Sequence, residues 1–270
     1  MQKIQLPGTP IVVSRFVFGT ASLFNGGNAA ARSKLLFSAV NAGFTHFDTA
    51  PYYGFGTAER DLAPVLKRHP ELTVTTKVGI YSPGGELQST AVVFMRKAAG
   101  RFIRSFSRPT VDFSVSRAQT ALEGSLRRLN RDRIDIYTLH EPEHDLVRTD
   151  EWQRWLERMV TDGKICSFGL ALTADKLEPF LVDNSRLSHL VQVQDSLGAQ
   201  EANILLRFGR PLQITYGYVS SARKEGSTLA VAEVLRRALD RNAQGAIIVS
   251  TTRAARLSQY ARLAEAVSHD

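Results

Sequence analysis

Four side chains of types that transfer protons stand at or just after the ends of apolar runs. Asp48 and Tyr53 lie in the stretch FDTAPYYGFGTAE (47–59), Lys77 closes the run LTVTTK, and His140 closes the run IDIYTLH. An ammonium group at the end of an apolar strand needs an anionic partner, and Asp48 can supply it. Tyrosine titrates at about 10 in water, and a neighbouring ammonium favours the phenolate and lowers that pKa. These residue types predict a proton transfer in which Tyr53 is the acid and His140 polarises a substrate carbonyl.

Each of these four residues, taken alone, also has a structural explanation. Asp48 and Tyr53 could form a hydrogen-bonded pair in a loop, and a lysine at a strand end is usually paired or extends its amine to water. Four such residues at successive strand ends favour the catalytic interpretation. The lone Cys166 lies in an apolar run and is interpreted as a buried small residue. Without a usable thiol or a clear metal-ligand triad, hydride from a nicotinamide cofactor is the most economical attack on the carbonyl carbon.

Short apolar runs alternate eight times with helix-length patterns, as a (β/α)8 TIM barrel requires. In that α/β fold the active site lies at the carboxyl ends of the strands, where the four side chains would meet. A doubly wound open sheet is the alternative, and it is weakened because FGTASLFNGGNAA lacks the G-x-G-x-x-G spacing. The predicted strands are 15–19, 45–50, 72–78, 134–139, 166–172, 190–194, 212–216 and 246–249, and the predicted helices are 30–42, 57–67, 115–129, 150–161, 175–182, 201–208, 228–241 and 254–266.

One connection, residues 80–113 after the third strand, is much longer than the others. Structureless loops beyond roughly 15 residues are usually functional or disordered. This one carries apolar positions, so we expect a folded excursion over the strand ends that forms a lid or a substrate wall. A basic cluster within it is either a solvated face or a surface for an anionic ligand: Arg96, Lys97, Arg101, Arg104 and Arg108. No linker divides the chain, which predicts a single domain over residues 1–270.

Composition and charge limit the class of protein. The chain has 270 residues, of which 43% are hydrophobic and 22% charged, as in soluble globular proteins. It has no apolar run of about 18 residues and no signal-type segment, so we expect a cytoplasmic protein without a membrane partner. The net charge of +8 leaves a nucleic-acid partner open, but the basic residues are widely spread and no such module is recognisable. We therefore expect no nucleic-acid partner, and nothing in the sequence indicates an oligomeric state.

The residues around the predicted site resemble the aldo-keto reductase family. The stretch 47–59 is similar to the family signature after the second strand, and the resemblance continues through TTKVG and SLRRLNRDRIDIYTLH, and more loosely to the C-terminus. It implies that Tyr53 is the general acid of a catalytic tetrad completed by Asp48, Lys77 and His140. It also implies that NADPH, or else NADH, binds extended over the strand ends.

The resemblance further implies a set of cofactor contacts. The matching positions are Gly19 and Thr20 at the first strand, Gln192 at the nicotinamide carboxamide, Tyr216 or Tyr218 stacked on the nicotinamide, and Ser250, Thr251 and Arg256 at the adenosine phosphate. A guanidinium such as that of Arg256 suits the extra phosphate of NADPH, because it binds phosphate in a fork.

Two segments depart from the family pattern on the cofactor side. Ala171 and Leu172 stand where the family commonly has Ser-Asn, and the eighth segment lacks the usual proline. In that segment Ser250 and Tyr260 replace a lysine-like residue and an asparagine. We expect hydride transfer between the cofactor and an aldehyde, ketone or sugar carbonyl. The alternative is a barrel that binds a cofactor or ligand as a sensor or subunit without turnover.

Overall fold

The computed structural model describes residues 1–86, 92, 95 and 109–266. The strands found in this part of the chain are β1 (Lys3–Gln5), β2 (Val12–Ser14), β3 (Phe16–Gly19), β4 (His46–Asp48), β5 (Thr73–Val78), β6 (Ile80–Tyr81), β7 (Thr110–Val111), β8 (Ile134–His140), β9 (Ile165–Leu172), β10 (Val191–Gln194), β11 (Ile214–Tyr216) and β12 (Ala246–Val249). Eight of them pair in parallel and close into a barrel in the order β3, β4, β5, β8, β9, β10, β11 and β12. The predicted (β/α)8 TIM barrel is confirmed, with each predicted strand within two residues of its observed bounds.

Helices follow the barrel strands and cover its outer surface. They are α1 (Ala29–Asn41), α2 (Thr57–Arg68), α3 (Val115–Leu129), α4 (Thr149–Thr161), α5 (Glu178–Val182), α6 (Asn203–Arg207), α7 (Tyr218–Lys224), α8 (Val231–Arg241) and α9 (Ala254–Ala266). In α3, Ala118, Leu122 and Leu129 recur at helical spacing and are buried against the barrel, as an amphipathic helix requires. Helix α7 was not among the predicted helices.

A hairpin of β1 and β2 precedes the barrel and closes its amino-terminal end. Its residues Leu6, Ile11 and Val13 are buried and pack with apolar residues near the starts of several strands, among them Val17 and Ile136. The chain therefore fills one end of the barrel with hydrocarbon and leaves the opposite end for polar groups.

Parallel register brings polar residues from separate strands to one end of the barrel. The laterally paired positions are Gly19 with Asp48, Lys77 with Thr138, His140 with Ala171, Ala171 with Gln192, and Gln194 with Tyr216. These positions lie at or near the carboxyl ends of their strands, where the active sites of this fold are built.

The long connection leaves the barrel as a two-stranded ribbon. Strand β6 pairs antiparallel with β7, so both ends of residues 80–113 are held together. The predicted lid and the basic cluster from Arg96 to Arg108 lie outside the described residues. None of the helices in the described part of the chain has an apolar stretch long enough to span a bilayer.

Candidate active site

A buried ion pair forms the base of the site. Lys77, on β5, donates hydrogen bonds from Nζ to Asp48 Oδ1 at 2.7 Å, to Asp48 Oδ2 at 2.6 Å and to the Thr49 carbonyl at 2.8 Å. All three ammonium donors are thus used inside the protein, and both side chains are almost fully buried. Burial lowers the pKa of Lys77 and raises the pKa of Asp48, while the contact between the two charges opposes both shifts. The predicted pairing of Asp48 with Lys77 is present in the structure.

Tyr53 lies over this ion pair on the loop that leaves β4. Its ring centroid is 5.0 Å from Lys77 Nζ. The loop turns sharply because Gly54 and Gly56 adopt left-handed backbone angles, with φ of 60° and 77°, which residues with a Cβ resist. The turn directs the Tyr53 side chain back toward the barrel axis.

The pKa of Tyr53 is raised well above its usual value, first by burial and then by the carboxylates of Asp48 and Glu141. The sequence-based expectation that Lys77 lowers the pKa of this phenol is therefore wrong in direction. The ammonium charge is already compensated by the Asp48 carboxylate, so burial of the phenol decides the sign. Tyr53 is consequently protonated at neutral pH.

His140, the last residue of β8, completes the cluster. Its ring meets the Tyr53 ring edge to face, with centroids 5.9 Å apart and planes 84° apart. Burial, followed by the positive charges of Lys77 and Lys176, holds the pKa of His140 well below its usual value. The imidazole is therefore neutral and carries a single N–H donor, while its Nδ1 atom is buried without a partner among the described residues.

A cavity of about 570 Å³ opens above these four residues and continues along the ends of β9 to β12. Of the predicted cofactor residues, those that line it with the tetrad are Gly19, Gln192, Tyr216, Ser250 and Arg256. At Gly19 a Cβ atom would meet Ile248 Cγ2 and Ser250 Oγ at 2.7 Å, so a larger residue would have to displace these two side chains. Ser250 donates a hydrogen bond to the Gly19 carbonyl at 3.0 Å.

Two predicted cofactor residues do not line the cavity. Thr20 is fully buried and donates its hydroxyl to the Asp48 carbonyl at 3.0 Å, so it supports the strand that carries the acid. Thr251 accepts a hydrogen bond from the Arg253 amide at 3.0 Å in the turn before α9. Both contacts are structural, and they leave the two threonines beside the cavity rather than in it.

Of the two candidate aromatic residues, Tyr216 ends β11 and is half-buried, whereas Tyr218 begins α7 and is buried. Both line the cavity, but the Tyr218 hydroxyl donates to Asp195 at 2.6 Å, which points it toward the barrel wall. The Tyr216 hydroxyl donates to Glu141 at 3.2 Å above the strand ends. Tyr216 is therefore the better placed of the two to contact a ligand above Tyr53.

The departures on the cofactor side have different structural consequences. Ala171 lines the cavity, but the next residue, Leu172, faces the opposite side of β9 and is fully buried in the core. Tyr260 is buried, and the positive charge of Arg256 opposes the rise in its pKa on burial. The wall of the cavity at Ala171 is thus apolar, and Arg256 and Tyr260 line the same cavity.

Sequence reasoning missed two charged residues that line the cavity, Glu141 and Arg223. Glu141 directly follows the predicted His140, so the signal was present in the segment HEPE, but its direction depends on an unusual backbone angle, with φ of 50°. Arg223 lies on α7, the helix that was not predicted. Glu141 could have been suspected from sequence because it follows His140, whereas Arg223 could not.

The chemistry of the cavity fits a nicotinamide dinucleotide. Gln192 Oε1 is buried and has no hydrogen-bond partner among the described residues. A buried amide oxygen normally accepts a hydrogen bond, and the carboxamide of a nicotinamide ring offers a suitable donor. Arg256 and Arg223 supply positive charge at the other end of the cavity for phosphate groups. The described residues contain no group of three or more His, Cys, Asp or Glu side chains that could hold a metal ion.

A closed (β/α)8 barrel with polar side chains gathered at the carboxyl ends of its strands has the architecture of a TIM-barrel enzyme. The model of the Aldo/keto reductase family matches residues 15–204, so the chain belongs to this family. The resemblance stated from sequence is thereby confirmed.

Two relatives with assigned activities match part of the chain. A D-threo-aldose 1-dehydrogenase from Pseudomonas sp is 34% identical over 150 residues, which cover 53% of this chain and 44% of the relative. A 6-dehydroglucose reductase from Agrobacterium fabrum is 28% identical over 178 residues, which cover 63% and 54%. The chain thus matches about half the length of these relatives.

Solved structures extend the similarity over the whole barrel. A glycerol dehydrogenase from Gluconobacter oxydans superimposes with a TM-score of 0.74 at 19% identity, covering 97% of this chain and 89% of that one. An aldo-keto reductase from Klebsiella pneumoniae in complex with NADPH gives a TM-score of 0.65 at 18% identity, covering 98% and 90%. At these identities the likeness establishes the fold.

Proposed function

We propose that the chain transfers a hydride between a nicotinamide cofactor, with NADPH favoured, and an aldehyde, ketone or sugar carbonyl, with Tyr53 as the general acid. One observation carries this proposal. The buried Lys77–Asp48 ion pair lies beneath Tyr53 and next to His140, at the base of a cavity that continues to Arg256. Such a site can protonate an oxygen at one end and hold a phosphorylated cofactor along the rest.

The side chains divide the work on the substrate oxygen. Tyr53, protonated because burial raises its pKa, donates its proton to the carbonyl oxygen as the alcohol forms. Neutral His140 donates one hydrogen bond to the same oxygen and polarises the carbonyl. Lys77 Nζ, 5.0 Å from the Tyr53 ring centroid, offsets part of the cost of the phenolate that remains on Tyr53, although burial and the carboxylates of Asp48 and Glu141 set the direction of its pKa shift. A nicotinamide cofactor, when bound, supplies the hydride that adds to the carbonyl carbon.

The preference for NADPH rests on Arg256, which lines the cavity and can bind a phosphate in a fork. A sugar carbonyl is favoured by the names of the two partly matching relatives, both of which act on sugars. The one cysteine of the chain, half-buried Cys166, agrees with a reducing compartment, so we infer a cytoplasmic location.

The test is the oxidation of NADPH, followed by its absorbance, with reactive aldehydes as substrates. We expect Tyr53→Phe to lower kcat/KM by about 10²- to 10⁴-fold, because the phenylalanine fills the same space without a proton to give. Tyr52→Phe is the matched control, since Tyr52 is adjacent and half-buried but does not line the cavity. Unchanged turnover in Tyr53→Phe would remove the proposed role.

A second function, ligand binding without turnover, is favoured by the apolar cavity wall at Ala171 and by the absence of the Ser-Asn pair that the family commonly has at residues 171 and 172. Calorimetry with NADPH and NADH separates the two functions. Tight binding without turnover over a broad panel of carbonyl compounds supports a sensor or subunit, and binding with turnover supports the enzyme.

A further inference from the structure

Glu141 stands above the acid in a backbone conformation that a glutamate rarely adopts. Its φ is 50°, in the left-handed region, and its amide donates to the Ala171 carbonyl at 2.7 Å. Non-glycine residues in this region are uncommon and cluster at functional sites. The conformation folds the side chain back over the strand ends instead of continuing along the exit of β8, so that Glu141 lines the cavity with Tyr53.

The carboxylate of Glu141 is held by groups from two neighbouring connections. Its Oε2 atom accepts from the Thr173 amide at 3.2 Å and the Thr173 hydroxyl at 3.4 Å, and lies 3.5 Å from Lys176 Nζ. Its Oε1 atom accepts from the Tyr216 hydroxyl at 3.2 Å. A carboxylate has about four lone-pair sites, two on each oxygen, so Oε1 retains acceptor capacity within the described part of the chain. The side chain is 27% exposed, and its residue borders the cavity.

A surface ion pair with Lys176 is the simplest alternative role for Glu141, but the contacts do not favour it. Lys176 Nζ is closer to Glu143, at 2.9 Å, than to Glu141, at 3.5 Å. The negative charge of Glu141 also raises the pKa values of both Tyr53 and Tyr216, after the effect of burial. The negative charge of Glu141 therefore acts on Tyr53 and Tyr216 inside the site as well as on Lys176 at its edge.

We propose that Glu141 is a specificity-determining residue whose carboxylate accepts hydrogen bonds from hydroxyl groups next to the substrate carbonyl. This proposal rests on the proposed function, because it places that carbonyl at Tyr53. It assigns the site to polyhydroxylated substrates such as sugars and short hydroxyaldehydes. An apolar aldehyde would strip water from the carboxylate without replacing it by a donor, and sites built to bind a hydroxyl discriminate against analogues that lack it.

The test compares glyceraldehyde with propanal, which has the same carbon chain without hydroxyl groups. We expect wild type to prefer glyceraldehyde. Glu141→Leu should lower the ratio of kcat/KM for glyceraldehyde to kcat/KM for propanal by about ten- to hundredfold, whatever its effect on the rate with propanal. Glu141→Gln keeps one oxygen acceptor without the charge and should give an intermediate preference. Equal losses on both substrates in both variants would overturn the proposal.

Glu143→Gln is the matched control, because Glu143 is exposed, binds the same lysine and does not line the cavity. We expect it to leave the glyceraldehyde-to-propanal ratio unchanged. A change as large as that in Glu141→Gln would assign the effect to Lys176 and contradict a role for the Glu141 carboxylate.

A binding measurement separates this proposal from the proposed function. Saturation-transfer NMR with glycerol and 1-propanol needs no turnover, and we expect wild type to favour glycerol and Glu141→Leu to lose that preference. If wild type reduces no carbonyl but shows this pattern, the proposed function fails, whereas the hydroxyl-binding role of the Glu141 carboxylate is supported. If wild type does not favour glycerol, the proposal about Glu141 is overturned whatever the turnover.

Discussion

The two sides of the cavity are built in different ways. The tetrad side comprises Asp48, Tyr53, Lys77 and His140 at the ends of β4, β5 and β8, and the cofactor side comprises Ala171, Gln192, Tyr216, Ser250 and Arg256 along β9 to β12 and α9. On the tetrad side, Lys77 donates all three of its ammonium hydrogen bonds to protein acceptors. On the cofactor side the buried oxygen of Gln192 has no partner in the described residues. The Lys77–Asp48 pair on the tetrad side is therefore fixed by the protein itself, whereas Gln192 on the cofactor side keeps an open acceptor within the described part of the chain.

This difference predicts that the tetrad side contributes to stability as well as to activity. Lys77→Met leaves the Asp48 carboxylate buried and unpaired, which should cost about 3–5 kcal/mol in the free energy of unfolding and abolish reduction. The double variant with Asp48→Asn removes the uncompensated charge, so we expect it to recover part of the stability but none of the activity. Urea unfolding and kcat/KM measure the two effects separately.

The control for that prediction is an exposed ion pair. Arg236→Met breaks the exposed contacts with Glu233 and Asp240 and should lower the free energy of unfolding far less than Lys77→Met does, because water screens both pairs. If Lys77→Met costs as little as Arg236→Met, the buried pair is not what stabilises the tetrad side. The same conclusion would follow if the changes in unfolding free energy of Lys77→Met and Asp48→Asn, each measured alone, added up to that of the double variant.

The sequence predicts most of the barrel and the tetrad because both depend on local patterns. A strand covered on both faces is an apolar run, and a polar residue at its end is visible without knowing the fold. The hairpin of β1 and β2 was missed because three-residue strands around Pro7–Pro10 give almost no periodic signal. The short helix α7 was missed because it begins directly after Gly217, two residues beyond β11.

The remaining errors concern quantities that only tertiary structure sets. The direction of the pKa shift of Tyr53 depends on how deeply the phenol is buried, and on the pairing of Lys77 with Asp48. The position of Glu141 depends on a left-handed backbone angle stabilised by the Ala171 carbonyl. Leu172 occupies a family position associated with cofactor binding, yet it packs in the core. Residue type alone could not reveal any of these three outcomes.

His46, a buried histidine close to the tetrad side, should make the free energy of unfolding depend on pH. His46, on the strand that ends in Asp48, is fully buried and bonds Thr73 Oγ1 at 2.6 Å and Thr75 Oγ1 at 2.8 Å. Burial, followed by the charge of Lys77, lowers the pKa of His46 to about 3. The unfolded chain binds this proton near pH 6.5, so the contribution of the neutral ring is complete above about pH 6.5 and is lost as the pH falls toward 3.

Urea unfolding of wild type and His46→Gln between pH 7 and pH 4 measures that contribution. We expect the wild-type free energy of unfolding to fall more steeply than that of the variant, by up to about 1.4 kcal/mol per pH unit. His140 is also buried and neutral, but it is present in both proteins and cancels in the difference. Parallel pH profiles would show that His46 does not couple acid to the tetrad side.

The smallest expected effect tests the cofactor side. Arg256→Ala should weaken NADPH binding about tenfold or more while changing NADH binding less than about threefold, because a charge-assisted hydrogen bond to the extra phosphate is lost. Arg262→Ala, an exposed arginine on the same helix α9 that does not line the cavity, is the control for charge alone. Calorimetry with both cofactors gives the two dissociation constants without requiring turnover. Equal weakening of NADPH and NADH would instead place Arg256 against a group that the two cofactors share.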